Sequence, residues 1–258
     1  MKSIKQSLLK TIKTTLVISA LTVPYAAQAR DISVQITNLT NGIYFTPLLV
    51  SAHNKQVDFF DLGEAASDHL QAMAEGGDIF GLSADAKAYG ADVSVDPAGG
   101  LLSPGATTTA ELDDVKRKNR YLSITAMMLP TNDGFVAADS IKIPNKKGSY
   151  TYYLKAYDAG TEANDEIING GGAPNTPGIP ADPGGNNGTG ATGVTTVEHN
   201  QTVHIHRGTI GDNEPNTGIS DLNIAVHRWH NPVAKIVITV NCKNSHYYSK
   251  QCRDSDDD

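Results

Sequence analysis

Beyond its first 29 residues the chain has no long apolar run, whereas a helix that crosses a membrane needs about 20 such residues. Basic residues are also few, since 21 Lys and Arg stand against 28 Asp and Glu, and the formal net charge is −7. An acidic chain repels phosphate backbones, which excludes nucleic acid as a partner and makes an anionic membrane dependent on a bridging cation. Catalytic signatures are missing too: there is no Gly-x-Ser-x-Gly elbow, no His-Glu-x-x-His helix and no phosphate-binding glycine loop. These absences favour a binding protein over an enzyme.

Cysteine is almost absent as well, because the only two are Cys242 and Cys252, close to the C-terminus. A structural zinc site needs four ligands, and no second pair of cysteines exists to complete one. In an exported protein such a pair is expected to form a disulfide, which would fix the polar tail of residues 242–258.

The one apolar run lies near the N-terminus, where residues 1–29 have the pattern of a secretory signal peptide. Four lysines precede an apolar stretch at residues 15–23, and Ala27-Gln28-Ala29 offers a small-x-small cleavage site. Cleavage removes these lysines and no acids, so the formal charge falls from −7 to −11. The residue directly after the cleavage site is Arg30 and not a cysteine, and we therefore expect a secreted or periplasmic product without a lipid anchor or a transmembrane segment.

The mature chain has the pattern of an all-β domain over residues 30–241. Ile32, Val34 and Ile36 alternate with polar residues, and residues 233–240 (VAKIVITV) form the clearest strand. About eight strands are expected, with one short helix at residues 61–75, and this content predicts an antiparallel sandwich. Residues 170–193 are rich in Gly, Pro, Asn and Thr and predict a long exposed loop of low order.

Two acidic turns lie within residues 126–165, each at the end of a predicted strand. Folding would bring Asp133 of the first turn close to Asp158 and Glu162 of the second. Ca²⁺ prefers six to eight oxygen ligands from carboxylates, loop carbonyls and water, and acidic loops supply all three. Asn-Asp-Gly and Asp-Ala-Gly are also ordinary turn sequences whose side chains bond their own backbone, so both interpretations stay open on spacing alone.

The same stretch resembles the spondin N-terminal domain family. The segments MMLPTNDGFVAADSI and YYLKAYDAGTEANDE carry the likeness, with HLQAMAEGGD before them and NPVAKIVITV after them, in the family's order. The resemblance implies a C2-like β-sandwich that binds calcium between loops at one end. Carried over by motif, the implied ligands are Asp133, Asp158 and Glu162, with Glu162 standing where the family usually has Asp.

Histidines form a second group, since five of the eight lie between His199 and His230. In a strand His204 and His206 point to one face, so they could hold Zn²⁺ or Cu²⁺ if His227 or His230 supplied a third ligand. Paired surface histidines on a strand are also common without any metal, and spacing alone does not decide between the two readings.

These observations together predict a non-catalytic, calcium-binding module for binding or adhesion, whose partner is an extracellular polysaccharide, lipid head group or protein. Two alternatives stay open. One is a metal-dependent hydrolase that uses the His-rich C-terminal strands. The other is a structural component of a biofilm or envelope matrix, with residues 170–193 as its contact segment.

The signal peptide generates a direct prediction. Mass spectrometry of the exported protein should find Arg30 at the N-terminus, because Ala29 ends the small-x-small site. A charged residue in place of Ala29 should block cleavage. An exported protein that keeps residues 1–29 would contradict the assignment.

Overall fold

The computed structural model describes residues 30–174, 176–214 and 216–242. The predicted signal peptide and Cys252 lie outside these residues, so the cleavage site and the Cys242–Cys252 disulfide remain predictions. Within the described part of the chain, no helix is long and apolar enough to cross a membrane.

The described residues form ten strands and two helices. The strands are β1 (Arg30–Asn38), β2 (Tyr44–Phe45), β3 (Leu49–His53), β4 (Asp92–Val95), β5 (Thr107–Val115), β6 (Tyr121–Leu129), β7 (Gly134–Lys142), β8 (Gly148–Asp158), β9 (His204–Ile205) and β10 (Ala234–Cys242). The helices, α1 (Asp68–Gly76) and α2 (Phe80–Ala88), both lie between β3 and β4.

All ten strands belong to one antiparallel sheet of order β4-β3-β6-β7-β8-β10-β1-β5, with β2 added to β6 and β9 added to β8. The sheet curls until its two edges approach each other. The ammonium group of Lys116, just after β5, donates a hydrogen bond to the carboxylate of Asp92 in β4 at 2.7 Å. The Asn119 amide donates a hydrogen bond to the same carboxylate at 2.9 Å. The all-β class is therefore confirmed, but the eight-stranded C2-like sandwich is not, because the strands form a nearly closed barrel.

Alternating side chains build the interior of this barrel. In β1 the predicted residues Ile32, Val34 and Ile36 are fully buried, and they share one core with Ile236 and Ile238 of β10. The two strands pair directly, with Val34 opposite Ile238. Burial of this face, at about 25 cal/mol per Å² of apolar surface, is the main stabilising contribution of the sheet.

A second core lies between the sheet and the helices, and β6 contributes to both cores. Leu122, Ile124 and Met128 face the barrel interior, whereas Met127 and Leu129 face the helical side. The helices cover this outer face with apolar side chains of their own: Leu70, Met73, Ala74, Leu82 and Ala86. Strand β6 consequently has almost no solvent-exposed side chain.

The helical region differs from the prediction of one helix at residues 61–75. Helix α1 begins later, because Ser67 is its N-cap and accepts a hydrogen bond from the Leu70 N–H at 3.2 Å. It ends at Gly77, whose φ of 74° is the left-handed conformation typical of a C-cap glycine. Residues 78–105 mix Gly, Ala and Asp with short apolar pieces, which predicts a loop with a weak strand; the structure instead has helix α2 before the short strand β4.

Two strand predictions also differ from the structure. Residues 43–52 are apolar nearly throughout and predict one strand with Pro47 at an edge or a bulge, but the structure divides them into β2 and β3 around Pro47, which has no N–H to donate to a ladder. Residues 222–229 (LNIAVHRW) also have the pattern of a strand, and this prediction is wrong: the segment forms turns, in which the Asn223 side chain accepts from the Ala225 N–H at 2.8 Å.

Among the described residues of the range 159–233, β9 is the one short strand, and yet this segment is packed. Ile179, in the middle of the predicted exposed loop, is fully buried against Ile168 and Leu222. The carboxylate of Asp221, which lies after residues 170–193 in the sequence, also holds this segment in place. It accepts hydrogen bonds at 2.7 to 3.2 Å from Ile168 N, Thr189 N, Thr189 Oγ1 and Ala191 N. The expectation of an exposed loop therefore fails for the middle of this segment.

This network predicts that Asp221→Ala destabilises the protein, because three backbone N–H groups lose their acceptor. The expected loss in the free energy of unfolding is about 2–3 kcal/mol, measured by urea denaturation. Asp221→Asn should cost less, since its amide oxygen still accepts. Equal stability of wild type and Asp221→Ala would show that these bonds do not hold the loop.

Candidate functional site

The candidate site lies where β7 begins and β8 ends. The two strands pair with Gly134 opposite Asp158, so Asp133, one residue before Gly134, lies beside Asp158. The sheet register thus brings together one acid from each of the two acidic turns. Both side chains are buried, with 0% of Asp133 and 1% of Asp158 exposed to solvent.

The two oxygens of the Asp133 carboxylate have different surroundings. Oδ2 accepts three hydrogen bonds from the second turn: Thr161 N at 2.8 Å, Thr161 Oγ1 at 3.1 Å and Glu162 N at 3.1 Å. Oδ1 is buried and has no hydrogen-bond partner among the described residues. One oxygen therefore ties the turns together, and the other keeps its full capacity to accept a hydrogen bond or bind a cation.

Asp158 is only partly neutralised by its neighbours. Its Oδ1 accepts from the Gly160 N–H at 2.9 Å, and its Oδ2 accepts from the Asn164 amide at 2.8 Å. Burial, together with the negative charge of Asp158, raises the pKa of Asp133 to about 8. The pair thus favours binding a proton or a cation, either of which relieves the repulsion between two buried carboxylates.

Glu162 takes part in this site through its backbone N–H. Its side chain accepts instead from the Gly178 N–H at 3.0 Å and the Asn132 amide at 3.4 Å, both at Oε2. Among the described residues, no three His, Cys, Asp or Glu side chains converge on a common metal position. The structure therefore brings Asp133 and Asp158 together but does not add the Glu162 carboxylate to them.

The Glu162 carboxylate nevertheless has a spare oxygen, because Oε1 is buried without a hydrogen-bond partner in the described part of the chain. Burial raises the pKa of Glu162 to about 7, and the charges of Glu75 and Asp165 act in the same direction. This end of the sheet thus holds more buried negative charge than hydrogen bonds compensate.

His204 joins the pair through strand β9, in which it lies opposite Asp158. Its Nδ1 is 2.7 Å from the Thr202 carbonyl oxygen, which can only accept, so Nδ1 carries the proton. In the neutral ring Nε2 then has a free lone pair, and it lies 3.6 Å from Asp158 Oδ2. Among the four predicted histidines, only His204 is shown in a tautomer suited to a metal ligand.

His206 also lies near the pair, close enough to Asp158 and His204 for their charges to act on it, but it has no free nitrogen lone pair. The His206 Nδ1 accepts from the Gly208 N–H at 3.0 Å, so its Nε2 carries the proton, and the ring packs on Trp229 at 4.9 Å. Burial lowers the pKa of His206 to about 4. His227 lies in a different contact, with Asn223, and His230 is exposed. The predicted grouping of four histidines is not formed.

Sequence reasoning missed two buried side chains that hold the loops of this end. The Asn132 amide donates to Asp165 Oδ1 at 2.8 Å, and Asn132 Oδ1 accepts from the Glu166 N–H at 3.3 Å. Glu166 accepts from Ile210 N at 2.6 Å and Gly211 N at 2.8 Å. Asn132 directly precedes Asp133 and Glu166 ends the second motif, but no spacing rule indicates the distant N–H groups that Glu166 binds.

No curated protein matches the chain. The Spondin_N family, the spondin N-terminal domain, matches residues 36–182, which is more than half of the 258 residues. The matched region includes both acidic turns with Asp133 and Asp158, and it ends before β9 and β10. The chain therefore belongs to the spondin N-terminal domain family.

Proposed function

We propose that this protein is a secreted or periplasmic binding module in which Ca²⁺, held by Asp133 and Asp158, fixes the loops at one end of the sheet. Membership of the Spondin_N family supports an extracellular module, and the family is generally non-enzymatic. The bound ion would have a structural role, and the loops around it would contact the partner.

A single observation carries the proposal: Asp133 Oδ1 is fully buried, has no hydrogen-bond partner among the described residues, and belongs to a carboxylate beside Asp158. Burying an unpaired carboxylate costs several kcal/mol unless a counter-charge is present. The Asp158 carboxylate and the Thr161 hydroxyl are neighbours of this group, and carboxylate oxygens are ligands that Ca²⁺ prefers. The residues of the site therefore fit a hard cation.

The consequence of ion binding would be rigid loops. Asp133 already accepts from the backbone of Thr161 and Glu162, and the Glu162 carboxylate in turn accepts from Gly178 in the Gly/Pro-rich segment. A cation on Asp133 would stabilise this chain of contacts from β7 to residue 178. The ordered loops would then present a surface to an extracellular polysaccharide, lipid head group or protein.

Two alternatives receive less support. A hydrolase with a transition metal would need several nitrogen or carboxylate ligands, whereas His204 is the one predicted histidine near Asp158 with a nitrogen lone pair left free in its neutral ring. A matrix protein that uses residues 170–193 as a free contact segment is less compatible with Ile179, which is fully buried. The calcium-dependent binding module accounts for more of the observed contacts.

Calorimetry on the mature protein should detect Ca²⁺ binding, and Asp158→Ala should weaken it at least about tenfold, which is about 1.4 kcal/mol. Glu162→Gln should weaken it much less, because that carboxylate accepts from Gly178 and Asn132. Asp85→Asn serves as the control, since Asp85 is exposed and pairs with His69 on the helices. Unchanged affinity in Asp158→Ala would refute the site.

A second prediction concerns pH. The folded, cation-free protein keeps a proton on Asp133 up to about pH 8, whereas the unfolded chain loses it near its ordinary pKa of 3.8. The folded state binds more protons in this window, so the contribution of Asp133 to stability falls as pH rises from about 4 to about 8. Asp133→Asn cannot ionise, and its stability relative to wild type in EDTA should increase over the same range.

Denaturation midpoints of wild type and Asp133→Asn, in EDTA and in Ca²⁺, measure both effects. Ca²⁺ should stabilise the wild type by mass action and leave Asp133→Asn unchanged. Equal stabilisation of both proteins by Ca²⁺ would place the ion elsewhere.

A further inference from the structure

A cavity of about 240 Å³ lies between the end of the Gly/Pro-rich segment and the turns that precede β10. Its lining includes Asp182, Gly185 and Thr189 on one side and Leu222, Asn223 and His227 on the other. The Spondin_N match ends at residue 182, so nearly all of this lining is contributed by chain beyond the family match. None of Asp133, Asp158 and His204 lines the cavity.

His227 is held there as a hydrogen-bond donor. Its Nδ1 accepts from the Asn223 backbone N–H at 3.1 Å, so in the neutral ring the proton is on Nε2. Protonation of Nδ1 would break this bond, and burial lowers the pKa of His227. The side chain is only 9% exposed, so its Nε2–H is a fixed, nearly buried donor at the cavity wall.

Asp182 supplies the complementary acceptor. Its side chain is 4% exposed, and its Oδ1 lies 3.5 Å from His227 Nε2 and has no hydrogen-bond partner in the described residues. This separation is too long for a good N–H···O bond. A hydroxyl group bound between them would accept from His227 Nε2–H and donate to Asp182 Oδ1, satisfying both groups at once.

The other two aspartates of the lining are already engaged. Asp221 accepts the four hydrogen bonds described above, and Asp212 accepts from the backbone N–H groups of Glu214, Ile219 and Ser220 at 2.8 to 3.0 Å. No Lys or Arg is present among the described residues that line the cavity, which disfavours an anionic ligand. Among the buried side chains of the lining, the groups without a good hydrogen bond are therefore the His227 Nε2–H and the Asp182 Oδ1.

We propose that this cavity binds a neutral, hydroxyl-bearing ligand, namely a single pyranose unit of a neutral glycan, with one sugar hydroxyl between His227 and Asp182. The cavity is smaller than the roughly 300–1,000 Å³ typical of sites for drug-sized ligands, so it accommodates one small unit. The amides of Asn186, Asn213 and Asn223 line the same cavity and offer further donors and acceptors for sugar hydroxyls. This binding goes beyond the proposed calcium site and does not depend on it.

Saturation-transfer NMR on the mature protein tests the proposal, with glucose, galactose, mannose and N-acetylglucosamine as neutral probes and glucuronate as the anionic comparison. We expect transfer to at least one neutral sugar and weaker transfer to glucuronate. The imidazole resonances of His227 should shift during the titration, whereas those of the exposed His69 should not.

Asp182→Asn is the decisive variant, because it keeps the shape of the side chain and removes the charged acceptor. Its affinity for the responding sugar should fall about tenfold, the loss expected for a hydrogen bond to a charged group. Asp85→Asn makes the same change of charge on the exposed surface and should bind like wild type. Calcium affinity should be the same in Asp182→Asn and wild type.

The proposal is overturned if no neutral sugar gives saturation transfer, if glucuronate binds better, or if Asp182→Asn binds as well as wild type. If Asp182→Asn does not fold, the shift of His227 in the wild-type protein decides the question, and its absence refutes the site. A protein that binds sugar but not Ca²⁺ would refute the calcium proposal alone, and the reverse result would refute this one alone.

Discussion

Hydrogen bonding of the irregular chain between β8 and β10 is the constraint on which this end of the molecule depends. In the part of residues 159–233 that the structure describes, β9 is the one regular element, so the backbone N–H groups there must find acceptors outside a helix or a long ladder. Buried carboxylates supply many of them: Asp133 binds the second acidic turn, Glu166 binds residues 210 and 211, and Asp221 binds residues 168, 189 and 191. Buried side-chain oxygens that accept hydrogen bonds are therefore a requirement of the fold at this end before they have any role in binding.

Carboxylates at this end differ in whether both oxygens accept hydrogen bonds from the protein. This difference distinguishes acids with a structural role from candidate binding groups. Glu166 and Asp221 use both carboxylate oxygens on protein donors. Asp133 and Asp182 each retain a buried oxygen without a partner in the described residues. The histidines divide in a similar way, since His204 donates through Nδ1 to a carbonyl, whereas His227 accepts there from an N–H. The direction of that one hydrogen bond decides which histidine offers a lone pair to a metal and which offers a proton to a hydroxyl.

Local patterns were enough to predict the sheet, because alternation reports burial directly. The apolar residues 121–129 predict a central strand with the bounds that β6 has, and the alternation of Ile32, Val34 and Ile36 correctly places them in the core. The closeness of Asp133 and Asp158 also follows from two strands that end at one edge. Closure of the sheet and the acceptors of the loops could not be predicted, because they join residues as distant as Asp92 and Lys116, or Ile168 and Asp221. No short-range spacing in the sequence predicts such pairs. Helix α2 was missed for a different reason, because it lacks a strong apolar stripe.

Strand β6 has no face in contact with solvent, since one side fills the barrel and the other packs on the helices. Almost every position along it is therefore intolerant of a larger or a charged side chain. The loops after β8 carry no such restriction at their many exposed positions. Sequence change can accumulate in those loops while the strand that anchors the sheet stays fixed, so a lineage could acquire new ligands without rebuilding the domain.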